Sequence, residues 1–201
     1  MRECFFRVPA ILPLLLAFTL SSCAQSLKIL IPEDAVIQHA GSIGYFSIGG
    51  GYELFKNNRG SLDFNYGYVP ASKGGELHIV AAKFAYRPFE IKLRDWAKIY
   101  PLNPGFFLSY TFHNDLGIKF PTDQYPKGYY YWSEAIRPHL SLSNEFQFID
   151  ESLLKKTGLK AVTLYSEINS NDYYLINFFQ NPEELSVSDV FKLGIGLRLK
   201  F

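Results

Sequence analysis

The 201 residues carry 20 lysines and arginines against 19 aspartates and glutamates, which gives a formal net charge of +1. This length fits one ordinary domain, and so balanced a charge gives no indication of a nucleic-acid partner. Aromatic residues make up 17% of the chain, with 14 Tyr and 18 Phe but a single Met. That content is unusual for a cytoplasmic enzyme and typical of a protein with two aromatic belts at a membrane.

The first segment has the pattern of a secretory signal peptide. Two arginines precede an apolar run at residues 8–20, and small residues follow, so we assign residues 1–24 to the signal peptide and leave them out of the fold. Two processing sites fit: ordinary cleavage after Ala24, which we favour, and lipoprotein processing at Cys23. Because Cys4 lies in the same segment, cleavage after Ala24 leaves no thiol and excludes disulfides and thiolate metal sites.

Residues 25–40 are interpreted as an N-terminal periplasmic lead-in, and β-strands are predicted from residue 41 onward. There, apolar and polar residues alternate with a period of two, as in strands that have one apolar face. The regular strands lie at residues 61–68, 106–112, 136–148, 162–168 and 191–201, and less regular ones at 43–55, 77–86 and 116–120. The count is about eight, or ten if residues 91–100 and 173–179 hide two more.

The last strand is the clearest. From residue 191 to Phe201 every odd-numbered residue is apolar and every even-numbered one is Gly, Lys or Arg. Alternation alone fits a soluble sandwich as well as a membrane barrel. Because it ends in an aromatic residue preceded by alternating apolar ones, this strand resembles the C-terminal strand of bacterial outer-membrane β-barrels. The resemblance implies an all-β, antiparallel transmembrane barrel over residues 41–201, located in the bacterial cell outer membrane. It also implies that Phe201 is an assembly signal for the barrel-assembly machinery.

A membrane location would have to come from strands. No apolar run of about 18 residues follows the signal peptide, so a transmembrane helix is not expected. Only helices and closed barrels satisfy every backbone polar group in hydrocarbon. We therefore expect outer-membrane lipids around the barrel.

The connections are assigned by counting back from a last strand that runs toward the periplasm. Periplasmic turns are then predicted near residues 70–75, 114–115 and 150–158, and external loops at 56–60, 89–104, 121–133 and 169–188. Long external loops are usual in such barrels. One external loop carries the run Tyr129, Tyr130, Tyr131 and Trp132, which we interpret as part of an aromatic belt or as a contact surface for sugars.

The polar faces of the strands predict a network of charges inside the barrel. A barrel of eight strands is just filled by its side chains, which disfavours a porin. Burying an unpaired charge is costly, so charges of both signs are expected to pair there. The predicted lumen residues are Asp63, Arg137, Glu145, Glu167, Lys192 and Arg198.

A second arrangement on the same faces bears on catalysis. His139, Ser141 and Glu145 share one face of a strand and offer a base, a nucleophile and an acid. This set faintly resembles that of lipid A deacylases, which are outer-membrane barrels with His, Ser and Glu on adjacent strands. The alternation, however, places the row in the lumen, where a lipid substrate does not reach. The histidines show no metal-ligand spacing, so neither a metal nor a cofactor is expected.

The favoured function is a structural or surface-binding barrel without enzymatic chemistry, whose external loops contact glycans, lipopolysaccharide or a partner protein. One alternative is an outer-membrane lipid-modifying enzyme of the deacylase type. Another is a soluble periplasmic carrier of the lipocalin type, in which the apolar faces would point inward around a ligand.

Overall fold

The computed structural model describes residues 31–118, 133–149, 154 and 156–201. The strands and helices in this part of the chain lie in one unit, Glu33–Phe201. The strands are β1 (Asp34–Ala40), β2 (Phe46–Leu54), β3 (Gly60–Val69), β4 (Leu77–Tyr86), β5 (Ile91–Arg94), β6 (Ala97–Phe112), β7 (Ile136–Phe148), β8 (Ala161–Asn171) and β9 (Lys192–Lys200). Helices α1 (Asp172–Gln180) and α2 (Val187–Val190) precede β9, and a 3-10 turn spans Ala71–Lys73.

Eight of these strands form a closed antiparallel ring. The order of hydrogen-bonded neighbours is β4-β3-β2-β1-β9-β8-β7-β6, and β4 also pairs with β6, which closes the ring. The first and last strands join, with Asp34 opposite Lys200. The short β5 pairs only with the beginning of β6 and stays outside the ring. The antiparallel barrel of eight strands that the sequence predicted is therefore confirmed.

The ten-strand alternative is wrong for the segments on which it depended. Residues 91–94 form β5, which adds no strand to the ring, and residues 173–179 lie within α1.

The two-residue period decides which side chains enter the lumen. In β9, Gly194 and Arg198 are buried while Leu193 and Ile195 are more than half exposed on the outer face. Gly196 also faces inward, and the ring of Tyr165 occupies the position that a Cβ atom would need. A larger residue there would displace that ring, so the glycine lets a tyrosine fill the narrow interior.

The barrel begins earlier than the sequence indicated. Residues 34–40, which the sequence pattern assigned to the lead-in, form β1 between β2 and β9. The strand was hard to recognise because Val36 points inward beside Asp34 and Gln38, so neither face is uniformly apolar. Residues 1–24 and their processing sites lie outside the described residues.

A second error concerns the connection between β6 and β7. These strands pair directly, so residues 113–135 connect them, and residues 116–118 belong to no strand. The predicted strand at 116–120 is thus wrong over residues 116–118, and residues 119–120 lie outside the described residues. Strand β6 also begins earlier than predicted. Its first part was missed because a bulge between Tyr100 and Asn103, with Leu102 at φ 54, interrupts the alternation of apolar and polar residues.

The false strand reversed the assignment of every earlier connection. We call the end that holds the first and last barrel residues the terminus end; it carries connections 55–59, 87–96 and 149–160. The opposite loop end carries 41–45, 70–76, 113–135 and 172–191. The segment 56–60 and the first part of the segment 89–104, both predicted to be external, therefore share an end with 150–158, and the turn at 70–75 lies at the end of the long loops. Residues 97–104 of the predicted loop lie in β6.

Candidate functional site

The lumen is crossed by a group of three charged side chains from three strands. Arg198 donates from both terminal nitrogens to Asp63, at 2.8 and 2.7 Å, and from Nη1 to Asp34 at 3.0 Å. All three residues are at most 5% exposed. The two-pronged guanidinium–carboxylate contact is a strong, directional form of ion pair, and it links β9 to β3 and β1 through the interior.

A second group lies closer to the loop end. The Lys83 ammonium donates to Glu167 at 2.8 Å and to the side-chain oxygen of Gln38 at 2.9 Å. The Tyr165 hydroxyl donates to the same oxygen at 3.0 Å, and Asn169 donates to Glu167 at 3.2 Å. This network joins β4, β8 and β1 across the lumen.

A third ion pair lies near the terminus end. Arg87 donates to Glu145 at 2.7 Å and to the backbone carbonyl of Asn58 at 3.0 Å. Its guanidinium lies 5.5 Å from the ring centroid of Tyr100. Beside it a cavity of about 260 Å³ opens to the end of the barrel. Its walls carry further pairs between Lys98 and Glu90, 3.2 Å apart, and between Lys200 and Glu53.

The predicted lumen residues divide into two sets. Asp63, Glu145, Glu167 and Arg198 lie in these buried ion pairs. Arg137 and Lys192 lie instead at the rim of the loop end, where they contact the first turn of α1. Arg137 is 3.6 Å from Asp172 and lies over Tyr173, and Lys192 lies over Tyr174.

The sequence did not predict six partners in these lumen groups: Asp34, Gln38, Lys83, Arg87, Tyr165 and Asn169. Lys83 offered a signal, since β4 has no other lysine, arginine, aspartate or glutamate and is mostly apolar. Arg87 follows the last residue of β4 and keeps the inward phase of that strand. Asp34 and Gln38 belong to β1, whose residues the sequence pattern assigned to the lead-in.

The three catalytic candidates do not form a triad. The buried His139 ring stacks on Phe107, with centroids 4.1 Å apart, and its Nε2 is 2.9 Å from the Ser109 hydroxyl on the neighbouring strand. Glu145 pairs with Arg87, and no hydrogen bond in the described part of the chain joins two of His139, Ser141 and Glu145. The other imidazole nitrogen, Nδ1, is buried without a hydrogen-bond partner among the described residues, so the Ser109–His139 pair has no acid to orient it.

The outer face is apolar on the strands of the ring. Large aliphatic side chains stand exposed there: Ile48, Val80, Leu108, Leu140, Leu142, Leu164, Ile168, Leu193 and Ile195. Exposed aromatic side chains occupy both ends of the same face. Those at the loop end include Tyr45, Phe46, Tyr68 and Phe112, and those at the terminus end include Phe55, Tyr86, Phe89, Trp96 and Phe201.

This distribution is the reverse of what the carrier alternative requires. A carrier of apolar ligands needs its large apolar side chains around an internal cavity. In the described residues most inward side chains are polar or charged, and the few inward apolar ones, such as Val36 and Phe107, are fully buried by their neighbours.

The loop end carries two short helices. The Asn171 side chain caps α1 by accepting a hydrogen bond from the Tyr174 amide. Ser186 and Asp189 form a reciprocal cap on α2, and the hydrogen bonds from Ser186 hold the pKa of Asp189 below its usual value. The segment Tyr129, Tyr130, Tyr131 and Trp132 lies outside the described residues.

No described helix is both long and apolar enough to span a membrane. Within the described residues, no group of three or more His, Cys, Asp or Glu side chains is placed to hold a metal ion.

Comparisons with known proteins give little beyond the architecture. No protein-family model matches the chain, and no curated protein matches it. Among solved structures it is similar to the Yersinia pestis outer membrane protein Ail, determined in a phospholipid bilayer nanodisc. The two are 12% identical, with a TM-score of 0.33, over 84% of this chain and 97% of that one. The fold assignment rests on the closed strand register described above.

Proposed function

We propose that this protein is a bacterial outer-membrane barrel with a structural or surface-binding role. The observation that carries the proposal is the inverted distribution of side chains, with charges buried inside and large apolar groups exposed outside. A closed ring pairs the backbone of every strand, which is what a membrane-spanning sheet requires. An apolar outer band with aromatic residues at both ends is the surface that lipid surrounds in such barrels.

The lengths of the connections support an orientation. Outer-membrane barrels carry short turns on the periplasmic side and long loops outside. The two longest connections, 113–135 and 172–191, are both at the loop end. This end then faces the exterior, and the chain termini face the periplasm.

The surface-binding role would belong to the loop end. Its long loops include Tyr129 to Trp132 and helix α1, which exposes Tyr173, Ile176 and Phe179. Aromatic side chains offer flat apolar faces with a polar edge, and these suit glycans, lipopolysaccharide or a protein partner. At the opposite end, the amide of Phe201 donates to the Glu33 carbonyl at 3.0 Å and its side chain is 52% exposed. That exposure is compatible with recognition by the barrel-assembly machinery.

A pore is disfavoured because three ion-pair groups cross the lumen at successive levels. The deacylase alternative is disfavoured because Ser109 and His139 are buried inside the barrel, only 4% and 3% exposed. Lipid in the membrane meets the outer face and not this pair.

Extraction and heat modifiability test the proposal together. Membranes that contain the protein are washed with concentrated urea, and the retained material is run on gels with and without boiling. An integral barrel is expected to resist extraction and to migrate differently after boiling. Release by urea, or identical migration of the two samples, would contradict the proposal. A chain lacking Phe201 serves as a comparison in which export is kept and insertion is expected to fall.

A further inference from the structure

The outer face has a recess that begins at Ala82 and extends toward the loop end. Strand pairing sets Phe64 of β3, Ala82 of β4 and Leu108 of β6 directly opposite one another. Phe64 and Leu108 are 52% and 46% exposed, and the alanine between them offers only a methyl group. A groove of about 560 Å³ results, which Val80 and Tyr66 extend toward the loop end.

The far side of the barrel shows what the same face looks like without a recess. There Leu142, Ile168 and Leu193 lie opposite one another on β7, β8 and β9. All three side chains are large and exposed, so they leave no gap between neighbouring strands at this level. The groove at Ala82 is therefore a local feature and not a property of the whole outer face.

Polar groups lie at the loop-end side of this groove. His78 shares the strand and the outer face of Ala82, four residues or about 13 Å away at strand spacing. Its Nδ1 is 2.5 Å from the Tyr66 hydroxyl, and its Nε2 is 3.7 Å from Glu76. The Tyr68 hydroxyl donates to Glu76 at 3.3 Å. The loop-end side of the apolar groove is thus bordered by a cluster of hydrogen-bonding groups.

We propose that this groove binds one acyl chain of a membrane lipid, with the headgroup side of the lipid at Tyr66 and His78. The proposal rests on the membrane insertion proposed above. The groove is continuous with the lipid-facing surface, and its size lies in the range of about 300–1,000 Å³ that is usual for small-molecule sites. An unfilled recess would forfeit dispersion contacts along its walls, and the chains of the surrounding lipid are the apolar groups that reach it.

Photolabelling in vesicles tests the proposal. The full-length mature protein is folded into phosphatidylcholine vesicles with a trace of phosphatidylethanolamine that carries a diazirine in the middle of one acyl chain. After illumination, labelled peptides are mapped by mass spectrometry. Labelling of the β3, β4 and β6 segments is expected to exceed that of β8 and β9 by about fivefold, and Ala82→Phe is expected to abolish that excess.

Ile168→Phe is the matched control, because it also places a phenylalanine on the outer face, in a row that is already filled. It is expected to leave the labelling pattern unchanged. A second probe with the diazirine in its headgroup is expected to label residues 66–78, and labelling elsewhere would overturn the headgroup assignment.

Three results would overturn the groove: even labelling around the barrel, an Ala82→Phe pattern identical to wild type, or cross-links at Ala82 to a second copy of the chain in place of lipid. Urea extraction of the same vesicles separates the two proposals. If the protein is extracted, membrane insertion itself fails. If it stays inserted while labelling is even, only the lipid groove fails.

Discussion

The lumen and the outer face of this barrel are built from the same strands, because successive residues along each strand point alternately inward and outward. Inside, Arg198, Lys83 and Arg87 each meet a carboxylate at 2.7 to 2.8 Å and are almost completely buried. Outside, the outward-facing positions of the barrel strands expose leucine, isoleucine and phenylalanine, as at Leu193, Ile195 and Phe64. In water this arrangement would leave a large apolar surface exposed, and burying the charges would cost desolvation free energy. Surrounded by lipid, the apolar outer surface is in a favourable environment while the charges stay paired inside, away from the hydrocarbon, which is why the comparison points to a membrane.

The largest effect is expected from breaking the central ion pair. Arg198→Met leaves Asp34 and Asp63 buried without their cation, and removing one partner of a buried pair costs about 3–5 kcal/mol. The free energy of unfolding is measured by urea titration in lipid vesicles. Lys192→Met, which alters a rim lysine, is the control and is expected to cost about 1 kcal/mol or less. Equal losses for the two variants would contradict the distinction between lumen and rim.

A charge placed on the outer face should cost nearly as much. Leu142 lies at the middle of β7 on that face, and an arginine at the bilayer midplane costs about 2–4 kcal/mol. The same titration applied to Leu142→Arg checks this loss. Glu184→Arg, in the exposed connection before β9, is expected to stay within about 0.5 kcal/mol of wild type. A Leu142→Arg variant as stable as wild type would indicate that this face meets water.

The pairing of Lys83 with Glu167 can be measured by a double-mutant cycle. Lys83→Met and Glu167→Gln each remove one charge and leave the other buried, whereas the double variant removes both. We expect the double variant to lose less stability than the two single losses together, by about 2 kcal/mol. Additive losses would indicate that the two groups do not interact.

The smallest effect is expected from the buried serine and histidine. Ser109→Ala and His139→Ala should leave the mass distribution of membrane lipids unchanged in cells, because no lipid reaches the lumen. The comparison includes cells without the protein. A shift in lipid mass that disappears in either variant would restore the enzyme alternative.

The sequence anticipated the strands whose two faces differ cleanly. Strand β9 alternates without exception, so the inward direction of Arg198 and the outward direction of its leucines follow from the alternation alone. Asp63 in β3 followed from the same pattern. Strand β1 was missed because its inward row mixes Val36 with Asp34, and the false strand at 116–120 then reversed the ends of the earlier connections.

The partners inside the lumen required the register of the strands. His139 was matched by spacing with Ser141 on its own strand, whereas its actual neighbour, Ser109, lies across the β6–β7 pair. The groove also depends on the register of the strands. Ala82 has no distinguishing feature in the sequence, and it becomes a recess only because strand pairing places Phe64 and Leu108 on either side of it.

Site-directed spin labelling of two adjacent residues tests the inside-out arrangement most directly. With Cys4 and Cys23 replaced by serine, the chain has no other cysteine, so Ser141→Cys and Leu142→Cys each give a single labelling site. In vesicles, the label at 142 should collide readily with dissolved oxygen and poorly with an aqueous nickel complex, as lipid-exposed positions do. The label at 141 should be shielded from both. Nickel access at 142, or a lipid-exposed label at 141, would contradict the central claim that the apolar face of this barrel meets the membrane.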